Sequence, residues 1–227
     1  MSQHEKVVHS FCVAAQKLVE HYSELSLAIH NKRNEASLGN ELAMQTTLSL
    51  LVLWENFVSD IILAYAQSDP RRLIRSAETR VLQSVEKKFG KICSRHVHLT
   101  FPRNPSLKMI AAMADDRGRN ITAQSASELA TRANDLLSGK YAKKFTLEPR
   151  DYQFYDYLIA VRNYLGHFST KALRTLREAI QRMQHSDNVI FQARFTQIGP
   201  YLRADAGAGS SRTELIGKRL DELARKM

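Results

Sequence analysis

The stretch from Pro149 to Ser169 reads PRDYQFYDYLIAVRNYLGHFS and decides the fold class that we expect. A proline is favourable at the first position of a helix. At about 100° per residue, the apolar side chains of this stretch return to one side of a helical wheel. This stripe comprises Phe154, Leu158, Val161 and Leu165. The pattern predicts a helix from Pro149 to Leu165 with one side facing a core.

The other flank of the same helix carries polar residues that packing alone does not require. It includes Tyr152, Asp156, Asn163 and His167, with Arg162 on the shoulder near Tyr155. Gly166 costs about 1 kcal/mol of helix stability relative to alanine. We therefore expect Gly166 either to allow a close backbone approach or to end the helix and present His167 from a turn.

Helical periodicity extends outward from this stretch along most of the chain. Only 9 glycines and 5 prolines occur in 227 residues, which argues against a sandwich or barrel with many turns. Interruptions are expected at Asn31 to Asn34, at Gly39-Asn40 and in an irregular loop from Lys91 to Ser106. The other predicted helices are Lys6 to His30, Glu41 to Gln67, Arg71 to Phe89, Leu107 to Asp115, Ser125 to Leu137 and Ser169 to Gln184. The sequence predicts an all-α protein.

The C-terminal region differs in composition from the rest of the chain. Small, flexible residues run from Ala204 to Ser210, and Ser211 and Glu214 then form a capping-box pattern. The helix that follows has one apolar side, which requires a partner surface in its own domain, in a second subunit or in another protein. We predict a helical domain over residues 1–186 and a C-terminal extension with a terminal helix over residues 187–227.

Charge and composition indicate which kind of partner and which cellular compartment to expect. The chain has 33 Lys and Arg against 23 Asp and Glu, a formal charge of +10, which favours an anionic partner. Its most apolar stretch, Leu48 to Ala66, is interrupted by Glu55, Asn56 and Asp60, so we expect a buried helix rather than a membrane span. Without a signal-peptide pattern at the N-terminus, the chain is expected to be cytoplasmic.

The hexapeptide Arg162-Asn163-Tyr164-Leu165-Gly166-His167 resembles the R-N-x-x-x-H signature of HEPN domains, a superfamily of helical bundles rich in RNA-cleaving proteins. Trp54-Glu55-Asn56-Phe57, on the second predicted helix, resembles the acidic position that many HEPN proteins carry on an early core helix. The resemblance implies that residues 1–186 form a HEPN-like helical bundle.

The resemblance also implies an activity. HEPN ribonucleases are typically homodimers with a composite site, and they cut RNA without metal or other cofactor to leave a 2′,3′-cyclic phosphate. His167 would transfer protons, Arg162 would hold the scissile phosphate, and Asn163 would orient the imidazole or bond the backbone. Such proteins often act as toxins or phage-defence effectors, which implies an antitoxin or regulatory partner. Possible supporting residues are Glu55, Asp156, Tyr155 and Tyr164; the last two could stack on bases or form a dimer interface.

Basic residues beyond the motif suggest which surface would bind the RNA backbone. Arg174 and Arg177 follow His167 by two to three helical turns and are the candidates for a phosphate track. Cys93, His96 and His98 form an incomplete ligand set, so no metal site is expected.

Three alternatives remain open at this stage. Arg162 could form a structural ion pair with Asp156 or Glu55. The chain could be an inactive HEPN module that binds a partner protein, or a basic helical regulator that binds nucleic acid without cutting it.

Overall fold

The protein is seen in a computed structural model that describes residues 1–102, 104–115, 121–183, 189–192, 194–207 and 209–227. Over these ranges the regular structure is helical and contains no strand, which confirms the all-α prediction. The helices are α1 (Gln3–Ile29), α2 (Glu35–Ser68), α3 (Arg71–Arg95), α4 (Leu107–Ala114), α5 (Ala126–Leu136), α6 (Gly139–Ala142), α7 (Pro149–His167), α8 (Thr170–Gln181), α9 (Ile198–Arg203) and α10 (Arg212–Lys226). Short 3-10 turns occur at Lys143–Phe145 and Val189–Phe191.

Helix α2 lies at the centre of the bundle. It packs against α1, α7, α9 and α10, and Leu50, Trp54 and Ile61 on it are almost fully buried. By length and composition α2 could also cross a membrane, but 56% of its most apolar window is buried within the chain. In this structure the apolar surface of α2 therefore forms the core on which the other helices pack.

The C-terminal helix finds its partner surface within its own chain. Helix α10 packs on α1 and α2. The predicted capping box is present, with the Glu214 amide donating to Ser211 Oγ at 3.2 Å and the Ser211 amide donating to Glu214 Oε2 at 2.6 Å. The apolar side of α10 is buried in the common core through Ile216, Leu220, Leu223 and Met227. The predicted domain boundary at 186 to 187 lies outside the described residues.

A buried carboxylate connects α7 to α10. Asp151, in the first turn of α7, is only 2% exposed. Its two oxygens accept from Arg219 Nη2 at 3.0 Å and from Lys226 Nζ at 2.6 Å, both on α10. The Arg219 guanidinium also lies over the Phe154 ring, 5.8 Å from its centroid. These contacts fix the N-terminal end of α7 in the bundle.

Two local predictions are wrong. Gly39-Asn40 does not interrupt the helix but lies inside α2. Gly39 is present there because the Arg203 side chain packs against it: an added Cβ at Gly39 would stand 2.6 Å from Arg203 Nε. The loop expected from Lys91 begins later, because α3 continues to Arg95 through a kink at Gly90, where φ is 85°.

Candidate active site

Helix α7 is buried along most of its length and has exposed residues near both ends. The predicted stripe is buried, and Tyr155, Tyr157, Ile159 and Ala160 on its other sides are buried as well. Arg162, Asn163 and Tyr164 are half-buried, and Gly166 and His167 are exposed. The hexapeptide motif therefore occupies the C-terminal part of α7, where the helix emerges from the core into solvent.

Arg162 is held from two sides. Its Nε lies 3.0 Å from Glu55 Oε1 and its Nη2 donates to Glu55 Oε2 at 3.4 Å, so the ion pair is with Glu55 on α2. The side chains of Arg162 and Glu55 are 36% and 20% exposed. Each Nη atom carries two N–H groups and donates only one of them to these neighbours. Donors therefore remain for a phosphate oxygen.

Asn163 supports Arg162 rather than His167. Its Oδ1 accepts from Arg162 Nη1 at 3.3 Å, and within the described part of the chain it makes no hydrogen bond to the imidazole. The structure therefore shows Asn163 bonded to Arg162, and its role in orienting His167 or bonding the backbone stays a prediction. The side chain turns instead to the neighbouring guanidinium, which offers a charged donor.

His167 stands at the end of α7. It is the last residue of the helix and is exposed, and Phe168 follows as the C-cap in the left-handed region, with φ 45° and ψ 30°. Gly166 does not end the helix, and an added Cβ there would meet nothing within 4 Å. The imidazole is therefore presented at a helix end beside an open surface.

Tyr155 supports the site from inside the core. Its ring is 2% exposed and lies 6.4 Å from the Trp54 ring, centroid to centroid. Burial raises the pKa of its hydroxyl, and the nearby Glu55 carboxylate raises it further, so the phenol stays neutral. The prediction that Tyr155 stacks on a base is wrong for this conformation, because a ring this buried cannot reach one.

Asp156 caps the N-terminus of another helix, α5. Its Oδ1 accepts from the Ala126 amide at 2.8 Å, at the first residue of α5, where helix N–H groups lack intrahelical partners. Burial raises the pKa of the Asp156 carboxyl, although the Ala126 hydrogen bond lowers it. Asp156 is therefore not the partner of Arg162, and its contact is a helix cap.

The remaining predicted residues lie on the accessible surface near α7. Tyr164 is half-buried and contacts the Phe168 ring at a centroid distance of 5.4 Å. Arg174 and Arg177 are exposed on α8, the helix that follows the motif. Arg174 Nε lies 3.9 Å from Glu178 Oε1 in an exposed pair, which contributes little to stability. Both arginines remain accessible to an anionic ligand.

One exposed residue beside the motif was missed by the sequence reasoning. Phe168 is 60% exposed, although a phenylalanine after an apolar helix is ordinarily assigned to a core. The sequence signal for this exposure was the position of Phe168 between His167 and Ser169. In the structure Ser169 Oγ accepts from the Ala172 amide at 3.2 Å and so caps α8. The orientation of a side chain between two helix ends is set by the turn, so such a residue need not point into the core.

No metal cluster accompanies the motif in the described ranges. No group of three His, Cys, Asp or Glu side chains there has the arrangement of a metal site. Cys93, His96 and His98 are all exposed near the end of α3.

Comparisons of the chain with protein-family models, with curated proteins and with solved structures found no match.

Proposed function

We propose that this protein is a metal-independent endoribonuclease of HEPN type that acts as a homodimer. The observation that carries the proposal is the pairing of Arg162 with Glu55 across two core helices, on the helix that ends in an exposed His167. The resemblance associates an acidic residue on an early helix with the R-N-x-x-x-H signature. The contact between residues 107 positions apart in the chain supports that association.

The chemistry follows from the two side chains. In the proposed reaction a 2′-hydroxyl loses its proton to a neutral imidazole, its oxygen attacks the adjacent phosphorus, and the bond from phosphorus to the 5′ oxygen breaks. The 5′ oxygen takes up the proton that the imidazole accepted, so the products are a 2′,3′-cyclic phosphate and a 5′-hydroxyl, and the imidazole is neutral again. Arg162 stabilises the negative charge that grows on the phosphoryl oxygens.

A second subunit solves a geometric problem in this scheme. Arg162 and His167 are five positions apart on one helix, so their side chains diverge by about 140°. One copy therefore presents them poorly to a single phosphate, whereas two copies around a two-fold axis bring Arg162 of one near His167 of the other. The open space beside Gly166 supports such an approach.

The biological role is proposed from the resemblance. We infer that the protein acts in the cytoplasm as a toxin or phage-defence effector, restrained by an antitoxin or another regulatory protein. RNA would bind along the exposed Arg174 and Arg177, consistent with the +10 charge of the chain.

Replacement of His167 by alanine tests the activity. In the presence of EDTA, the unaltered protein is expected to cut RNA into fragments with cyclic-phosphate ends. His167→Ala should lower the cleavage rate about 10²- to 10⁴-fold, the usual contribution of a general acid or base. Gel analysis of end-labelled RNA measures the rate, and enzymatic end-group analysis identifies the cyclic phosphate.

A matched histidine controls for nonspecific effects. His21 is exposed in the middle of α1, so His21→Ala should cut RNA at the unaltered rate. Equal cleavage by the His167→Ala protein, or cleavage that requires added metal, contradicts the proposal. Salt-dependent RNA binding without any cut product would favour the nucleic-acid-binding regulator instead.

A further inference from the structure

We propose that Phe168 is a stacking platform for a nucleobase beside the scissile phosphate, and so helps to bind and position single-stranded RNA. The inference rests on the proposed function, because it takes RNA to be the ligand. It starts from an unusual combination at Phe168: a left-handed backbone and a ring that is 60% exposed.

The left-handed backbone conformation of Phe168 is energetically unfavourable for a phenylalanine. Among non-glycine residues of the described ranges, only Asn31 and Phe168 have positive φ, at 64° and 45°. Asparagine tolerates the left-handed region, whereas a bulky side chain there is a genuine outlier. Such outliers cluster at functional sites.

The turn itself does not require a phenylalanine. Phe168 is the single residue between the end of α7 at His167 and Ser169, the N-cap of α8. Glycine adopts the left-handed conformation without strain and is the commonest residue at helix ends of this kind. The choice of an aromatic side chain therefore has to be explained by what the ring does.

The ring contributes little to the core. It contacts Tyr164 at a centroid distance of 5.4 Å with the planes inclined at 59°, and most of its surface faces solvent. The half-buried Tyr164 is itself braced by Phe195, at 6.4 Å between centroids. Tyr164 therefore supports an aromatic surface whose outer face is available to a flat ligand.

The position of this surface matches RNA. Phe168 directly follows the exposed His167, and the exposed Arg174 and Arg177 lie farther along on the next helix. A strand whose phosphates follow these cations would place a base near the Phe168 ring. Base stacking on an aromatic ring tolerates any sequence and is strong enough to guide binding.

Substitutions at Phe168 separate stacking from packing. We expect Phe168→Ala and Phe168→Leu to lower kcat/KM for RNA cleavage roughly 5- to 100-fold, the range of one lost stacking contact. Phe168→Tyr and Phe168→Trp should keep near-normal rates. Phe168→Gly should lose activity while its thermal midpoint stays equal or rises, since glycine relieves the backbone strain.

Three results overturn the inference. Normal cleavage by Phe168→Leu would show that an aromatic ring is unnecessary. A lowered thermal midpoint for Phe168→Gly would show that the ring serves the fold. A change from dimer to monomer in sedimentation of the inactive variants would assign the ring to the subunit interface.

A binding measurement keeps this inference separate from the proposed activity. The probe is a short random-sequence RNA in which 2-aminopurine replaces adenine and 2′-O-methyl groups prevent cleavage. Binding should quench its fluorescence, and Phe168→Leu should weaken both quenching and affinity. Phe168-dependent quenching by a protein that does not cleave RNA would retain the platform and reject the ribonuclease. Unchanged quenching with Phe168→Leu would reject the platform whether or not the protein cuts RNA.

Discussion

Replacing Asp151 with alanine is expected to lower the free energy of unfolding by about 2 to 3 kcal/mol, because it removes the buried carboxylate of an ion pair and leaves Arg219 with the more exposed Glu222. Asp151 is 2% exposed and accepts from Arg219 and Lys226. The Arg219 side chain is only 12% exposed, so water cannot readily replace the carboxylate. Since these contacts join α7 to α10, their loss loosens the helix that carries the motif.

Urea unfolding followed by circular dichroism measures this effect. Arg225→Ala is the matched control on α10, because Arg225 is exposed and its ion pair, with Asp221, lies along its own helix. We expect the control to unfold at nearly the urea concentration of the unaltered protein. Similar midpoints for Asp151→Ala and Arg225→Ala would contradict the assignment of Asp151 as the connection between α7 and α10.

The second large effect is expected at Arg162. Removal of a donor that stabilises transition-state charge lowers a catalytic rate about 10²- to 10³-fold, so Arg162→Ala should lower RNA cleavage by this amount. Arg162→Lys should recover only part of it, because an ammonium group lacks the planar fork that contacts Glu55 and phosphate together. Glu55→Gln should cost roughly tenfold through misplacement of the guanidinium.

Single-turnover cleavage under EDTA measures these three variants. Their folds should remain intact, since a partly exposed ion pair contributes about 1 kcal/mol or less, and circular dichroism checks this. An unaltered rate for Arg162→Ala, with its fold intact, would make the pair with Glu55 purely structural. Absence of cleavage by the unaltered protein as well would favour the inactive HEPN module that binds a partner protein.

The helical fold could be predicted from local patterns because those patterns act within one segment. The stripe of Phe154 and Leu158 depends only on the helical repeat, and the Ser211 capping box depends on residues three apart. Gly39 was misjudged because its neighbour, Arg203, comes from a distant helix. A glycine signals a turn or a close approach, and only the tertiary packing distinguishes them.

The sequence predicts which residues form the candidate site, but it does not predict which neighbours they contact. The motif gave Arg162 and His167, while the wheel placed Asp156 and Tyr155 on accessible sides of α7. Asp156 instead caps α5, and Tyr155 is buried in the core with its ring edge-on to Trp54. A helical wheel represents one helix alone, so it cannot show that a second helix covers the other flank. The same reason leaves the choice between Glu55 and Asp156 open until the packing of α2 is known.

The central claim is a site that two subunits build together, and mixing two inactive variants tests it most directly. Arg162→Ala and His167→Ala proteins are each expected to be inactive as homodimers. After joint unfolding and refolding in equal amounts, half of the dimers would pair an intact Arg162 with an intact His167 of the other subunit. The mixture should regain about a quarter of the unaltered cleavage activity, since each mixed dimer has one of the two cross-subunit pairs. If the mixture contains mixed dimers and stays as inactive as the separate variants, Arg162 and His167 do not act together across the interface, and the account is contradicted.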